Sequence, residues 1–257
     1  MRYPVDHRLL PDGPIHHGPY EVGFARDLVT LDQILQLRFR VFNLELGEGL
    51  DSSHETGRDL DEYDSQCHHL YVRDGRDGEI VGTYRMQTDT MARSGGGFYS
   101  GDEFDLSTCP TEILTDAVEI GRACTDRDHR HQWVLFLLWR GLAAYMSASR
   151  RRFLFGCCSL TSQDPTEGWS THHQLGESGQ LQPGLCLPAN PQYACGTDAR
   201  HGPYRAVKLP KLFRTHLRFG ASVCSEPALD SRFKTIDFLV LLDVAALDEH
   251  SRTLFFG

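Results

Sequence analysis

Apolar residues in the first fifty positions recur at helical spacing. Leu31, Ile34, Leu35, Val41 and Phe42 fall on one stripe, and Arg38 lies inside it. Thr30 to Gln33 has the form of a capping box, so a first helix is expected from near Leu31 to Gly47. The stretch GEGLDSSHETGRDLDEYD, residues 47–64, is polar and acidic and reads as a loop. HLYVRD and EIVGTYRMQT flank GRDG, a strong hairpin signal. SGGGFYSGDEFDL is a glycine-rich bend leading to a short element. AVEIGRACT and RFLFGCCSL read as buried strands on either side of WVLFLLWRGLAAYMSAS, which is apolar nearly all round and therefore a core helix. Residues 161–204 carry no placeable element. LPKLFRTHLRFG then gives an amphipathic helix with Pro210 in its first turn and Gly220 at its stop, and IDFLVLLDV a late buried strand.

The order is helix, antiparallel hairpin, strand, buried helix, strand, helix, strand. A strand-helix-strand unit after a meander predicts an α/β fold, a mixed central sheet with helices on both faces. The domain expectation is an extended arm over residues 1–24, rich in Pro, Gly and His, followed by one domain over 25–257.

With 257 residues the chain can bury a sizeable core without staples. No uninterrupted apolar run reaches the roughly 18 residues of a membrane span, and the first residues lack a signal-peptide core, so a cytoplasmic location is expected, with contact at the inner membrane face left open. The eight cysteines show no paired spacing and are expected reduced. A net charge of -9 argues against nucleic acid as a partner. Yet residues 199–219 hold six Lys or Arg and no acid. A basic patch on an acidic protein points to a specific acidic partner.

The candidate chemistry lies in charges that sit where apolar residues should. Arg38 is on the buried stripe, Asp61 and Asp64 are in the acidic loop, Arg85 ends an apolar strand, and Glu119 stands between Val118 and Ile120, with Arg122 three residues on. Buried charges need partners. The bland alternative is a structural ion-pair network that pins the loop to the sheet; a functional cleft accounts better for keeping so many charges out of water. In a regular strand Glu119 and Arg122 point to opposite faces, so if both serve one site a bulge near Gly121 must re-aim one of them.

Other chemistry is less well supported. The pairs His16-His17, His68-His69 and His172-His173 lack metal-ligand spacing, and no metal is expected. Cys124, Cys157 and Cys158 have no histidine arrangement for covalent transfer and read as small buried residues. The SGGG at 94–97 is no phosphate loop, because no Lys-Ser/Thr follows it.

Arg38 with Phe42, Asp61 with Asp64, Arg85 at a strand end and Glu119 with Arg122 resemble the signature of acyl-homoserine-lactone synthases. VGTYRM, GGGFYSGDEFDL, VEIGRACTD, LWRGLAAY and GCCSL resemble more closely the hemolysin-like ornithine N-acyltransferases, which make lyso-ornithine lipid. Both belong to the GNAT-type acyltransferase superfamily, and the resemblance runs from about Arg26 to the C-terminus.

The resemblance implies transfer of a long, 3-hydroxylated fatty acyl chain to the α-amine of an amino acid, with L-ornithine as the first choice of acceptor. On that basis Glu119 and Asp64 are the catalytic candidates. Burial between Val118 and Ile120 is expected to raise the Glu119 pKa toward neutrality and make it the base. Asp61 and Asp64 would hold a substrate cation, and Arg38, Arg85 or Arg122 would clamp the acceptor carboxylate, beside Phe42. Backbone N–H groups beside the bulge would stabilise the oxyanion.

For the donor, acetyl-CoA enzymes of the superfamily use a glycine-rich turn after the equivalent of VEIGR. Here CTDRDHRHQW has no glycine, which disfavours coenzyme A. No permanently bound cofactor is expected; the donor would be an acyl-phosphopantetheine thioester on acyl carrier protein. Arg150, Arg151 and Arg152, and the face Lys208, Lys211, Arg214 and Arg218, would recruit that acidic partner. Phe98, Tyr99, Trp139, Phe153 and Phe155 are candidate walls of an acyl tunnel. Two other functions fit the sequence: a synthase of an acyl-homoserine-lactone-type signal or another N-acyl amino acid, and a non-catalytic lipid- or partner-binding module.

Overall fold

A computed structural model describes residues 3, 6–130 and 132–256. The chain divides into two compact units. One comprises Met1–Gly97, Val118–Arg151 and Glu249–Gly257; the other comprises Phe98–Ala117 and Arg152–Asp248.

The first unit is built on antiparallel strands in chain order: β1 (Ile15–His17), β2 (Tyr20–Phe24), β3 (His68–Asp74), β4 (Ile80–Thr88) and β5 (Ala117–Thr125). Residues 15–24, expected in an extended arm, are thus two strands of the sheet, and Tyr20 to Phe24 pair with Asp74 to Leu70. Positions 1, 2, 4 and 5 of that arm lie outside the described residues.

Helix α1 (Leu28–Phe39) begins three residues before the expected start. The reason is a better cap: the Asp27 carboxylate accepts from the Thr30 backbone N–H at 2.7 Å, so Thr30 is inside the helix rather than its cap. The helix runs on into a π-helical segment, Arg40–Glu45, that carries Phe42. Helix α2 (Gln132–Ser149) is the expected core helix.

The two helices cover opposite faces of this sheet, and the strand period decides which residues each one meets. On one face Leu70 lies against α2, where a side chain at Gly141 would collide with Leu70, and His68 Nδ1 lies 2.8 Å from the Tyr145 hydroxyl. On the other face His69, Arg85 and Gln87 face the side of Arg38 in α1, which shares its partner Asp64 with Arg85. The C-terminal helix Glu249–Phe256 packs on α2, with Phe255 5.3 Å from Trp139.

The second unit has β9 (Thr235–Asp243) at its centre. From Ile236 to Asp243 it pairs antiparallel with β6 (Phe153–Leu160), and it also pairs with the short strands β7 (Ser222–Val223) and β8 (Ala228–Asp230). Phe104, Phe155, Leu187, Leu239 and Leu241 form its core. Two helices pack on these strands. Helix α3 (Pro165–Glu177) lies in the stretch where the sequence placed nothing; Asp164 caps it and Pro165 opens it. Helix α4 (Lys211–Arg218) is the expected amphipathic helix, with Phe213 and Leu217 buried. Lys208 precedes it, and Pro210 is its cap position rather than part of its first turn.

Candidate active site

The acidic loop is held by backbone N–H bonds, two within itself and one to α1. The Asp61 N–H donates to Asp64 Oδ2 at 2.8 Å, the Tyr63 N–H to Asp61 Oδ1 at 2.9 Å, and the Asp59 N–H to the Leu35 carbonyl at 3.1 Å. These local bonds aim Asp59, Asp61 and Asp64 at the sheet face of Arg85.

Arg38 meets two of these acids. Nε donates to Asp59 Oδ2 at 2.7 Å, Nη1 to Asp64 Oδ1 at 2.6 Å and Nη2 to Asp64 Oδ2 at 3.3 Å. Arg85 Nη1 donates to Asp61 Oδ1 at 2.6 Å and to Asp64 Oδ1 at 3.2 Å. Arg122 Nη2 donates to Asp61 Oδ2 at 2.9 Å, and its Nε lies 3.5 Å from Asp59 Oδ2. Three guanidinium groups and three carboxylates therefore share one network. Burial alone would push the Asp64 pKa up, but Arg38 and Arg85 outweigh it and hold it well below the usual carboxylate range. Asp61 is held low in the same way by Arg85 and Arg122. Burial works against the charge on Arg85, yet Asp61 and Asp64 raise its pKa well above the ordinary value. All three stay charged at neutral pH.

The bulge expected near Gly121 is present. Arg85 pairs with Gly121 and Thr83 with Cys124, so Arg122 and Ala123 together stand opposite Tyr84. Arg122 takes a left-handed backbone, φ 48°. That turn carries its guanidinium to Asp61, the partner it shares with Arg85.

Glu119 lies directly across from Gln87 in the β4–β5 ladder and accepts from Gln87 Nε2 at 2.6 Å. Its residue exposure is 5%, and the Arg122 side chain is 7% exposed. Arg38 and Asp64 have none, so in this structure neither presents a surface from which to touch a substrate, and both face the network's interior. Phe42 is buried on the π-helical turn.

Sequence reasoning missed Asp59, Gln66, Gln87 and His69. Burial pushes the His69 pKa down to about 4, so it is neutral; its Nε2 donates to the Asp64 carbonyl at 3.1 Å and helps fix the loop. Gln87 carried a signal, since it shares a strand face with Arg85 two residues away.

The basic candidates divide between the units. Arg150 and Arg151 follow α2 in the first unit. Arg152 is in the second and pairs with Asp243 at 2.6 Å. On α4, Lys211, Arg214 and Arg218 are exposed, as is Lys208 before it. Of the expected tunnel walls, Phe98 and Phe155 meet edge-on at 5.0 Å in the second unit's core, with Phe153 packed against the same cluster, whereas Trp139 belongs to the first unit. Cys124 is buried and its pKa is pushed up to about 12. In the second unit Glu103, Asp230 and Asp237 bring carboxylate oxygens within 4.8 Å of one another.

Residues 37–140 match the family model described as an acetyltransferase (GNAT) domain. The chain is 30% identical over 250 residues to an L-ornithine N(alpha)-acyltransferase of Rhodobacter capsulatus, which covers 92% of this chain and 94% of the relative. It belongs to that family. A second member, the L-ornithine N(alpha)-acyltransferase of Brucella abortus, is 29% identical over 88% of this chain and 85% of its own length. Among solved structures, that of TofI in a ternary complex with an inhibitor and MTA aligns with a TM-score of 0.51 and 14% identity, over 93% of this chain and 97% of that one. The fold is mixed α/β of the GNAT type, as the motifs of this acyltransferase family implied. Among the described residues no helix is long and apolar enough to cross a membrane.

Proposed function

We propose that this protein transfers a 3-hydroxylated fatty acyl chain from acyl carrier protein to the α-amine of L-ornithine, forming the N-acyl ornithine of an aminolipid. The acceptor follows from family membership. The observation that carries the chemistry is that Glu119, Arg85 and the bulge-turned Arg122 share one sheet face beside Asp61.

In this reading Glu119 takes a proton from the α-ammonium group, directly or through a water. The freed amine attacks the thioester carbonyl; a C–N bond forms and the C–S bond breaks. The leaving thiolate takes one proton to become the phosphopantetheine thiol, and the second ammonium proton passes to solvent. Arg122, the most exposed arginine of the network, receives the acceptor carboxylate. Arg38, Asp59 and Asp64 act as positioning residues: they hold the loop that presents Asp61. The acyl carrier protein docks on the exposed basic residues of α4, and the absence of glycine in residues 124–133 favours this donor over coenzyme A.

The test supplies purified protein with 3-hydroxyacyl carrier protein or the matching acyl-coenzyme A, each with a panel of amino acids, and reads products by mass spectrometry. The expected product is Nα-acyl ornithine, formed from the carrier thioester. A lactone formed from S-adenosylmethionine would instead make it a signal synthase, and no thioester consumption with any acceptor would make it a binding module.

A further inference from the structure

Beneath Glu119 runs a chain of amides. Gln87 Nε2 donates to Glu119 Oε2 at 2.6 Å, and Gln66 Nε2 donates to Gln87 Oε1 at 2.8 Å. Backbone groups close the chain. The Gly96 N–H donates to Gln66 Oε1 at 2.6 Å, and the Gly97 carbonyl accepts from Gln66 Nε2 at 2.8 Å and from Gln87 Nε2 at 3.3 Å. Gln87 is buried, and a side chain at Gly95 would collide with Gln66 Oε1 and displace that amide.

The two ends of an amide are nearly alike in shape, and only their partners decide which way each points. Here the partners are unambiguous. A backbone N–H can only donate and a carbonyl can only accept. Gly96 and Gly97 therefore fix Gln66 with its oxygen toward Gly96 and its nitrogen toward Gly97. That nitrogen faces Gln87 and requires oxygen there, which leaves the Gln87 nitrogen facing Glu119. Reversing either amide would set oxygen against oxygen at the Gly97 carbonyl. The polarity of the chain is thus written by the backbone of residues 96–97 and delivered at the Glu119 carboxylate as a donor.

We infer that Gln87 is a positioning residue for the acyl transfer, holding Glu119 Oε2 as an acceptor at a fixed angle, and that Gln66 acts through it by locking its amide. The inference rests on the reading of Glu119 as the proton acceptor. If the roughly 1.5–3 kcal/mol of a hydrogen bond to a charged group is realised in aligning the base in the transition state, its loss corresponds to about 10–100-fold in rate.

The experiment compares wild type, Q87A, Q66A, the double variant Q66A/Q87A, Q87E and E119Q in steady state with acyl thioester and ornithine, alongside thermal melting. Q87A is expected to lower kcat about 10–100-fold with KM values little changed. Q66A is expected to lower kcat less, and to have no further effect once Gln87 is gone, because its influence passes through that residue. Q87E, close to isosteric, sets a second carboxylate against Glu119 and is expected to move the acid limb of the pH–rate profile upward; it also decides the matter should Q87A fail to fold. Near wild-type kcat for Q87A and an unmoved profile for Q87E, with E119Q inactive, would overturn the relay alone. Fully additive losses from Q66A and Q87A would overturn the role of Gln66. Retained activity in E119Q would overturn the base on which the relay depends.

Discussion

Arg38→Met removes a wholly buried guanidinium and leaves its volume nearly filled. Three hydrogen bonds are lost, one to Asp59 at 2.7 Å and two to Asp64 at 2.6 and 3.3 Å. Arg85 still reaches Asp64, at 3.2 Å, but Asp59 keeps only the 3.5 Å approach of Arg122 Nε among the described residues. Taking one partner from a buried pair costs about 3–5 kcal/mol, because the other charge stays buried and uncompensated. Against a total stability of about 5–15 kcal/mol, that is anywhere from about a fifth to all of what holds the chain folded. In urea, with a slope of about 3 kcal/mol/M, the midpoint falls by about 1–1.7 M. The loss has a pH signature. Asp64 is depressed in the folded protein, so its contribution is present above its unfolded pKa near 3.8 and fades as the pH falls below that value. The gap between R38M and wild type is therefore widest near pH 7 and narrows in acid. Adding D64N, which removes one of the stranded charges, recovers part of the loss. A midpoint shift equivalent to less than about 1 kcal/mol at pH 7, or one unchanged down to pH 3, would refute the claim that these charges are dry and mutually dependent.

Two further outcomes follow from the second unit. Burial, with Asp230 adding and Ser159, Glu103 and Thr235 opposing, pushes the Asp237 pKa up from 3.8 to about 6. A raised carboxyl favours folding while it holds its proton, and that advantage is lost as pH rises from about 4 through about 6; D237N removes this dependence and is expected to be more stable than wild type by about 2–3 kcal/mol at pH 8, read from urea midpoints across pH. Reversing charge on α4 with K211E/R214E is expected to raise KM for the acyl carrier about tenfold and flatten its salt dependence, with KM for the amino acid unchanged; an unaltered salt dependence would move the carrier to another surface.

Much of this site could be seen before any coordinates, for one physical reason: a charge in an apolar pattern is an anomaly that only a partner explains. That logic found Arg38, Arg85 and Glu119, and it demanded a bulge beside Gly121 that the ladder has at Arg122. It did not find Asp59, because the loop offers several acids and spacing alone cannot say which one folds under α1. Asp237 carried the same anomaly, an acid within an apolar strand, and went unread. The glutamine chain was harder. Gln87 shares a face with Arg85, but Gln66 comes from a loop, and its role depends on the backbone path of Gly95 to Gly97. Helix α3 was hidden by its composition of Gly, Ser, Thr and His, although Asp164 before Pro165 is a cap followed by a helix-opening proline. The strands of residues 15–24 were missed because β1 is short and exposed, and β2 earns its place by pairing with β3, a contact distant in sequence.

The proposed chemistry turns on Glu119 removing the proton that keeps the acceptor amine from attacking. Turnover of wild type and Glu119→Gln with carrier-bound 3-hydroxyacyl thioester and L-ornithine, measured across pH, addresses it most directly. E119Q is expected to fold and bind the acyl carrier as wild type does while kcat falls about 10²–10⁴-fold. Turnover within tenfold of wild type, with the same pH profile, would contradict it.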